Sequence, residues 1–210
     1  MFQPVDWETY PRAEYYRHFR TECPCAYNVT VECDITQFRA LLKAGGFRFY
    51  PAIIYLLGRV VNAHEEFRMS ERNGVPGFFD VCHPSYTIPN ALPGGFSGIW
   101  TEYDADFSAF HAAYLREIAE YGRSTFYAPK PGQPENTYYV SCVPDLRFVS
   151  FEMSLSLECL TPIFTLGGFR EREGKILLPI SARLHHAACD GFHVSKFFSE
   201  LEELANTIEF

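Results

Sequence analysis

The sequence has 210 residues, 47% of them hydrophobic and 17% aromatic, with a net charge of −8. A chain of this length fits one domain, residues 1–210, and buries a core without staples. The acidic balance and the lack of any Lys/Arg cluster argue against a nucleic-acid partner, which needs a basic face. No apolar run approaches the roughly 18 residues of a membrane span, and Met1–Trp7 has neither the basic nor the apolar region of a secretion signal. No membrane partner and a cytoplasmic location are therefore expected. The seven cysteines, Cys23, Cys25, Cys33, Cys82, Cys142, Cys159 and Cys189, are odd in number and scattered. That reads as free thiols in a reducing compartment, with no zinc site.

In chain order, Tyr27–Ile35 alternates and reads as a strand. Thr36 is placed to cap a short helix through Lys43, ended by Gly45-Gly46. Pro51–Ala63 is apolar on most faces and reads as a buried helix, with Pro51 in its first turn. Strands follow near Phe78–Val81, Ser85–Ile88 and Phe96–Thr101. Asp104–Tyr121 carries Phe107, Phe110, Tyr114, Leu115 and Ile118 at helical spacing. Thr137–Cys142, Arg147–Leu157, Ile163–Phe169 and Ile176–His185 read as strands, and Phe192–Asn206 as the last helix. The mixture predicts an α/β fold: a two-layer sandwich on a mixed β-sheet. Twenty Phe and thirteen Tyr fill either a Phe-rich core or an aromatic-walled pocket or subunit interface.

Chemistry concentrates in His185-His186-Ala187-Ala188-Cys189-Asp190-Gly191-Phe192-His193, a strand-to-helix turn holding three His, one Asp and one Gly. Imidazole titrates near neutrality, which suits taking a proton from an alcohol. Metal binding is the competing reading. Neighbouring His185 and His186 point to opposite faces of a strand and make poor co-ligands, so no metal is expected.

This nine-residue run resembles the active-site signature of the chloramphenicol acetyltransferase family. Its looser His-x-x-x-Asp-Gly core is shared with dihydrolipoamide acyltransferases and peptide-synthetase condensation domains. Further segments fall in the family's order: Asp34-Ile35-Thr36, Arg48-Phe49-Tyr50-Pro51, Asn62-Ala63-His64, Phe67-Arg68-Met69, His83-Pro84 and Leu178-Pro179-Ile180. The resemblance implies a CoA-dependent acyltransferase fold and acetyl-CoA as co-substrate, with no metal. It also implies a homotrimer with active sites between subunits. The family's base falls on His186, its Arg–Asp pair on Arg12 and Asp190, its oxyanion donor on Ser141 of Ser-x-x-Pro, and a water-binding Thr on Thr165. Direct transfer in a ternary complex to chloramphenicol, and hence antibiotic resistance, is the implied function. Cofactor contacts fall on Arg48, Phe169 and Arg170. Arg48 stands where the family has Lys, and Gly168-Phe169 stands in place of Lys-Tyr.

The acceptor wall departs more. Positions implied for it are Phe19, Cys25, Tyr27, Phe96, Ala128, Phe151, Met153 and Ile163. Phe19 replaces a Tyr, Ala128 a Phe and, beside them, His18 an aromatic and Asp145 a Trp. Acetyl transfer to a different hydroxyl compound by the same mechanism is the alternative. A dihydrolipoamide acyltransferase is disfavoured because no lipoyl domain or Pro/Ala linker precedes the core in this sequence.

Overall fold

A computed structural model describes all 210 residues. In chain order its elements are β1 (Phe2–Pro4), α1 (Ala13–Arg17), a π-helical turn (His18–Glu22), β2 (Ala26–Asp34), α2 (Thr36–Gly45), α3 (Phe49–Ala63) and a 3-10 turn (Glu65–Arg68). They continue with β3 (Met69–Arg72), β4 (Val75–Phe79), β5 (His83–Pro89), β6 (Phe96–Trp100), α4 (Phe107–Tyr121), β7 (Thr137–Val143), β8 (Ile163–Gly167), β9 (Arg170–Arg172), β10 (Lys175–His185) and α5 (Gly191–Thr207). The main sheet has seven strands in the order β2-β10-β8-β7-β5-β6, with β9 also on β10. Strands β5, β7 and β8 run parallel, and β10 runs antiparallel to β8 and β2.

Helices α2, α3 and α5 pack on one face of this sheet, as a two-layer α/β sandwich requires. Along β10, Ile180, Ala182 and Leu184 point into that interface and are essentially fully buried. Phe164 of β8 stacks on Phe197 of α5 at 4.8 Å, and the Tyr138 hydroxyl of β7 donates to the Ile54 carbonyl of α3. Ten of the fifteen α3 residues are buried, so α3 is the apolar-all-round helix its sequence predicts. Gly46 ends α2 in the left-handed region at φ 68°, where a Cβ is costly.

The opposite face of the sheet carries hydroxyls. Thr30, Ser181, Thr165 and Ser141 lie side by side across β2, β10, β8 and β7. Arg147–Leu157, read from its sequence as a strand, forms no ladder. Strand β8 is already paired on both sides, so this segment instead crosses the polar face as a strap. Side chains take the place of a ladder. The Phe151 N–H donates to Thr30, the Met153 N–H to Asn28 and the Ser181 hydroxyl to the Phe151 carbonyl. Buried Arg183 donates to the Ser156 and Cys159 carbonyls.

Other boundaries shift for local reasons. Thr36 is the first helical residue of α2 rather than its cap: its hydroxyl donates to Asp34 at 2.6 Å and accepts the Ile176 N–H at 2.8 Å. Helix α4 starts at Phe107, capped by Asp106, which accepts the Ala109 N–H at 2.7 Å. Ile163–Phe169 is not one strand; it stops at Gly167, and the chain restarts as β9. The strand expected at Phe78–Val81 is β4, the centre of a separate antiparallel sheet with order β1-β4-β3.

Candidate active site

The first half of the site is the turn after β10. The His186 N–H donates to the Cys25 carbonyl at 3.0 Å, which ties the turn to the start of β2. His185 points inward and is fully buried. Its Nδ1 accepts the Ala187 N–H and its Nε2 faces the Leu157 carbonyl at 2.9 Å. This holds the ring in its Nε2–H form, and burial lowers its pKa. His186 turns the other way. Its ring stacks on Phe19 at 3.8 Å and 3°, and meets Tyr27 edge-on at 5.3 Å. His186 Nδ1 is buried and has no partner within the chain. Of the expected acceptor wall, Phe19, Cys25 and Tyr27 thus gather around His186.

Asp190 fixes this turn. It caps α5 by accepting the Phe192 N–H at 3.0 Å, and its carboxylate pairs with Arg12. His193 Nδ1 lies 2.8 Å from the same carboxylate, and His193 Nε2 lies 3.2 Å from Glu66. Arg12 also reaches the His186 carbonyl at 3.5 Å. Burial works to raise the Asp190 pKa, but Arg12, His193 and the Phe192 N–H outweigh it, so the carboxyl sits below its ordinary value.

Sequence reasoning missed the support behind Phe19. Arg20, on the same π-helical turn, makes a two-pronged pair with Glu71 at 2.7 and 2.9 Å, and Tyr16 donates to that carboxylate. Glu71 stands on β3, 51 residues along the chain, and no local pattern marks it.

The second half is a cleft of about 830 Å³ at the carboxyl ends of β5, β7 and β8. Tyr50, Thr87, Phe96, Ser141 and Phe169 contribute to its lining. Thr165 lies next to Ser141 in the sheet and is 2% exposed. Arg48 is exposed at the N-cap of α3, just before lining residues Phe49 and Tyr50. Arg170 departs from expectation: it does not line the cleft but pairs with Glu32 of β2 at 2.5 Å. Strand β9 aligns on β10 and directs this side chain across to β2, while Phe169 faces the cleft. Phe96 is 53% exposed, and Ala128 is exposed nearby, following Tyr127, whose ring meets Phe96 at 5.9 Å. Phe151 and Met153 lie in the strap, and Ile163 is buried at the start of β8.

Within one chain the two halves do not meet. Because β10 opposes β8, His185 leaves the sheet at the amino end of β8, while the cleft opens at its carboxyl end. Ser181 sits beside Thr165. From there to His185 is four residues, about 13 Å along the strand, and Ser141 lies two strands across, about 10 Å. No cluster of three or more His, Cys, Asp or Glu side chains able to hold a metal is present.

Comparison with known proteins gives the family. Residues 1–202 match the family described as chloramphenicol acetyltransferase. A chloramphenicol acetyltransferase of Clostridium perfringens is 40% identical over 211 residues, covering 99% of this chain and 96% of its own. A solved chloramphenicol acetyltransferase superposes with a TM-score of 0.84 at 26% identity, over 97% of this chain and 99% of the other. A dihydrolipoamide acetyltransferase of Azotobacter vinelandii, at 16% identity and a TM-score of 0.67, covers 97% of this chain and 96% of its own and shares the fold. The chain belongs to the chloramphenicol acetyltransferase family, and it is an acyltransferase.

Proposed function

We propose that the protein transfers the acetyl group of acetyl-CoA to a hydroxyl of chloramphenicol, in sites assembled between copies of the chain. The observation that carries this reading is the split just described: His186 and the Ser141 cleft occupy opposite ends of one sheet. Such a site forms when each copy lends its turn to the cleft of the next, as in a closed ring. Three copies is the closure that the family resemblance implies.

In such a site His186 takes the proton of the acceptor hydroxyl, and the oxygen attacks the thioester carbonyl. The carbonyl electrons move onto oxygen, where the Ser141 hydroxyl donates to the developing charge. Collapse expels the CoA thiolate, which takes the proton back from the His186 imidazolium. No acyl-enzyme intervenes, so both substrates are bound together. Thr165 holds a water beside this centre. Arg12 and Asp190 hold the turn rather than move protons, since the Asp190 carboxylate is already committed to Arg12 and the α5 cap. Acetylation of chloramphenicol in the cytoplasm is the corresponding resistance function, carried by one domain spanning residues 1–210.

A second reading, the same chemistry on another alcohol, draws on the opened wall at exposed Ala128 and the Gly94-Gly95 lining beside Phe96. The test is release of CoA thiol from acetyl-CoA with and without chloramphenicol. Chloramphenicol-dependent release is expected. Release with other alcohols but none with chloramphenicol selects the second reading, and no release with any alcohol overturns both.

A further inference from the structure

The cleft that holds Ser141 contains a cation that the family resemblance does not assign. Arg147 is the one charged residue among its lining residues. It is exposed at the mouth, and none of the chain's ion pairs involves it. Its position follows from packing behind it. The Gly168 N–H donates to the Leu146 carbonyl at 2.7 Å. A Cβ on Gly168 would stand 2.3 Å from the Pro144 carbonyl oxygen, and one on Gly167 would stand 2.8 Å from that of Leu146. These are backbone atoms, so no side-chain adjustment relieves the clash. The turn after β7 is therefore clamped on two glycines, and position 168 accepts no side chain unless that turn moves. The same clamp sets Arg147 at the cleft mouth, where Phe169 also lines it. Arg39 adds a second cation there, its guanidinium 4.6 Å from the centre of the Phe169 ring. A chain of net charge −8 repels an anionic ligand at long range, so local cations must offset that field.

We infer that Arg147 holds the phosphate groups of CoA at the mouth of the Ser141 cleft, a role that the packing around Gly168 denies to a side chain at position 168. Guanidinium offers paired N–H donors to phosphate oxygens. The thioester end of the same ligand then extends inward to Ser141. The inference rests on acetyl-CoA being the acetyl donor.

The experiment compares acetyl-CoA with S-acetylpantetheine, which has the same thioester and arm but no nucleotide phosphates. In Arg147→Ala the Michaelis constant for acetyl-CoA should rise roughly tenfold or more, the loss expected for a charge-assisted contact. The constants for S-acetylpantetheine and chloramphenicol, and kcat, should stay within about twofold. Arg147→Lys should recover most of the loss. The rise of the acetyl-CoA constant with salt should be steeper in the native protein than in Arg147→Ala. An unchanged constant for acetyl-CoA overturns the inference. Equal damage with both donors does so too, because it places the effect in loop packing. A native protein that transfers no acetyl group from either donor contradicts the proposed function instead. Calorimetric binding of CoA against pantetheine then still decides the role of Arg147: a CoA preference that Arg147→Ala abolishes supports it, and a preference that survives overturns it.

Discussion

The His186 turn and the Ser141 cleft belong to one sheet but are built in opposite ways. The turn is held on all sides: Asp190 is shared among Arg12, His193 and the α5 cap, and Phe19 is backed by the Arg20–Glu71 pair. The cleft lining is neutral save for Arg147, with Arg39 against the Phe169 ring, and no ion pair spans it. A rigid turn can present one imidazole nitrogen with its angle fixed. An open, neutral cleft can admit a long ligand. The direction of β10 keeps the two halves apart in one chain.

Breaking the turn at its base should have the largest effect. His186→Ala removes the imidazole stacked on Phe19, and loss of a general base costs about a hundredfold or more in kcat. Circular dichroism should show the fold intact, because the His186 side chain makes no hydrogen bond within the chain. Retention of more than about a tenth of the turnover would contradict the assignment. In the cleft, Ser141→Ala should lower kcat roughly a hundredfold through the lost oxyanion donor, with little change in either Michaelis constant. A change confined to binding would instead make Ser141 a lining residue only.

The third perturbation separates holding from chemistry. Asp190→Asn should lower the melting temperature, with a stability loss below the roughly 3–5 kcal/mol of a fully buried pair, since Asp190 keeps 30% of its side chain exposed. The native carboxyl has a lowered pKa. Its stabilising contribution is therefore complete above the ordinary carboxylate range, near pH 4, and is lost as pH falls through the lower native value. The melting-temperature gap between native protein and Asp190→Asn should be widest at neutral pH and close on acidification. A gap that is constant with pH would remove the Arg12–Asp190 pair from the explanation. The smallest effect is expected at the cleft rim. Ala128→Phe restores an aromatic ring and should lower the Michaelis constant for chloramphenicol, at most about tenfold; an unchanged constant would show that position 128 does not touch the acceptor.

The two halves also differ in how much of each could be read from sequence. The nine-residue turn is compact, so residue type and spacing mark the cluster, while the family resemblance singles out His186 and Asp190 within it. Helix α3 and the antiparallel strands β2 and β10 are likewise legible, because long apolar or alternating runs leave few options. Ser141 and Thr165 are ordinary strand residues, and only the family resemblance singles them out. Arg147–Leu157 reads as a strand because its alternation looks the same whether backbone groups meet a ladder or the side chains of Thr30, Ser181 and Arg183. Short strands β1, β3 and β4, of three to five residues, carry too little periodicity to announce a second sheet. The resemblance implies Arg170 as a cofactor contact, whereas its partner Glu32 lies on a strand brought alongside only by folding. The split between the halves follows from strand direction, which no single segment encodes.

In the proposed ring, His186 of one copy serves the Ser141 cleft of another. Mixing tests it most directly. His186→Ala and Ser141→Ala chains, each nearly inactive alone, are unfolded together in equal amounts and refolded. If the site lies between copies, about a quarter of the sites in randomly assembled rings draw an intact His186 and an intact Ser141 from different chains. Activity should then return to about a quarter of that of native protein refolded in the same way. If the mixture stays as inactive as its two components, with native-size oligomers present by light scattering, both residues act within one chain and the account is wrong.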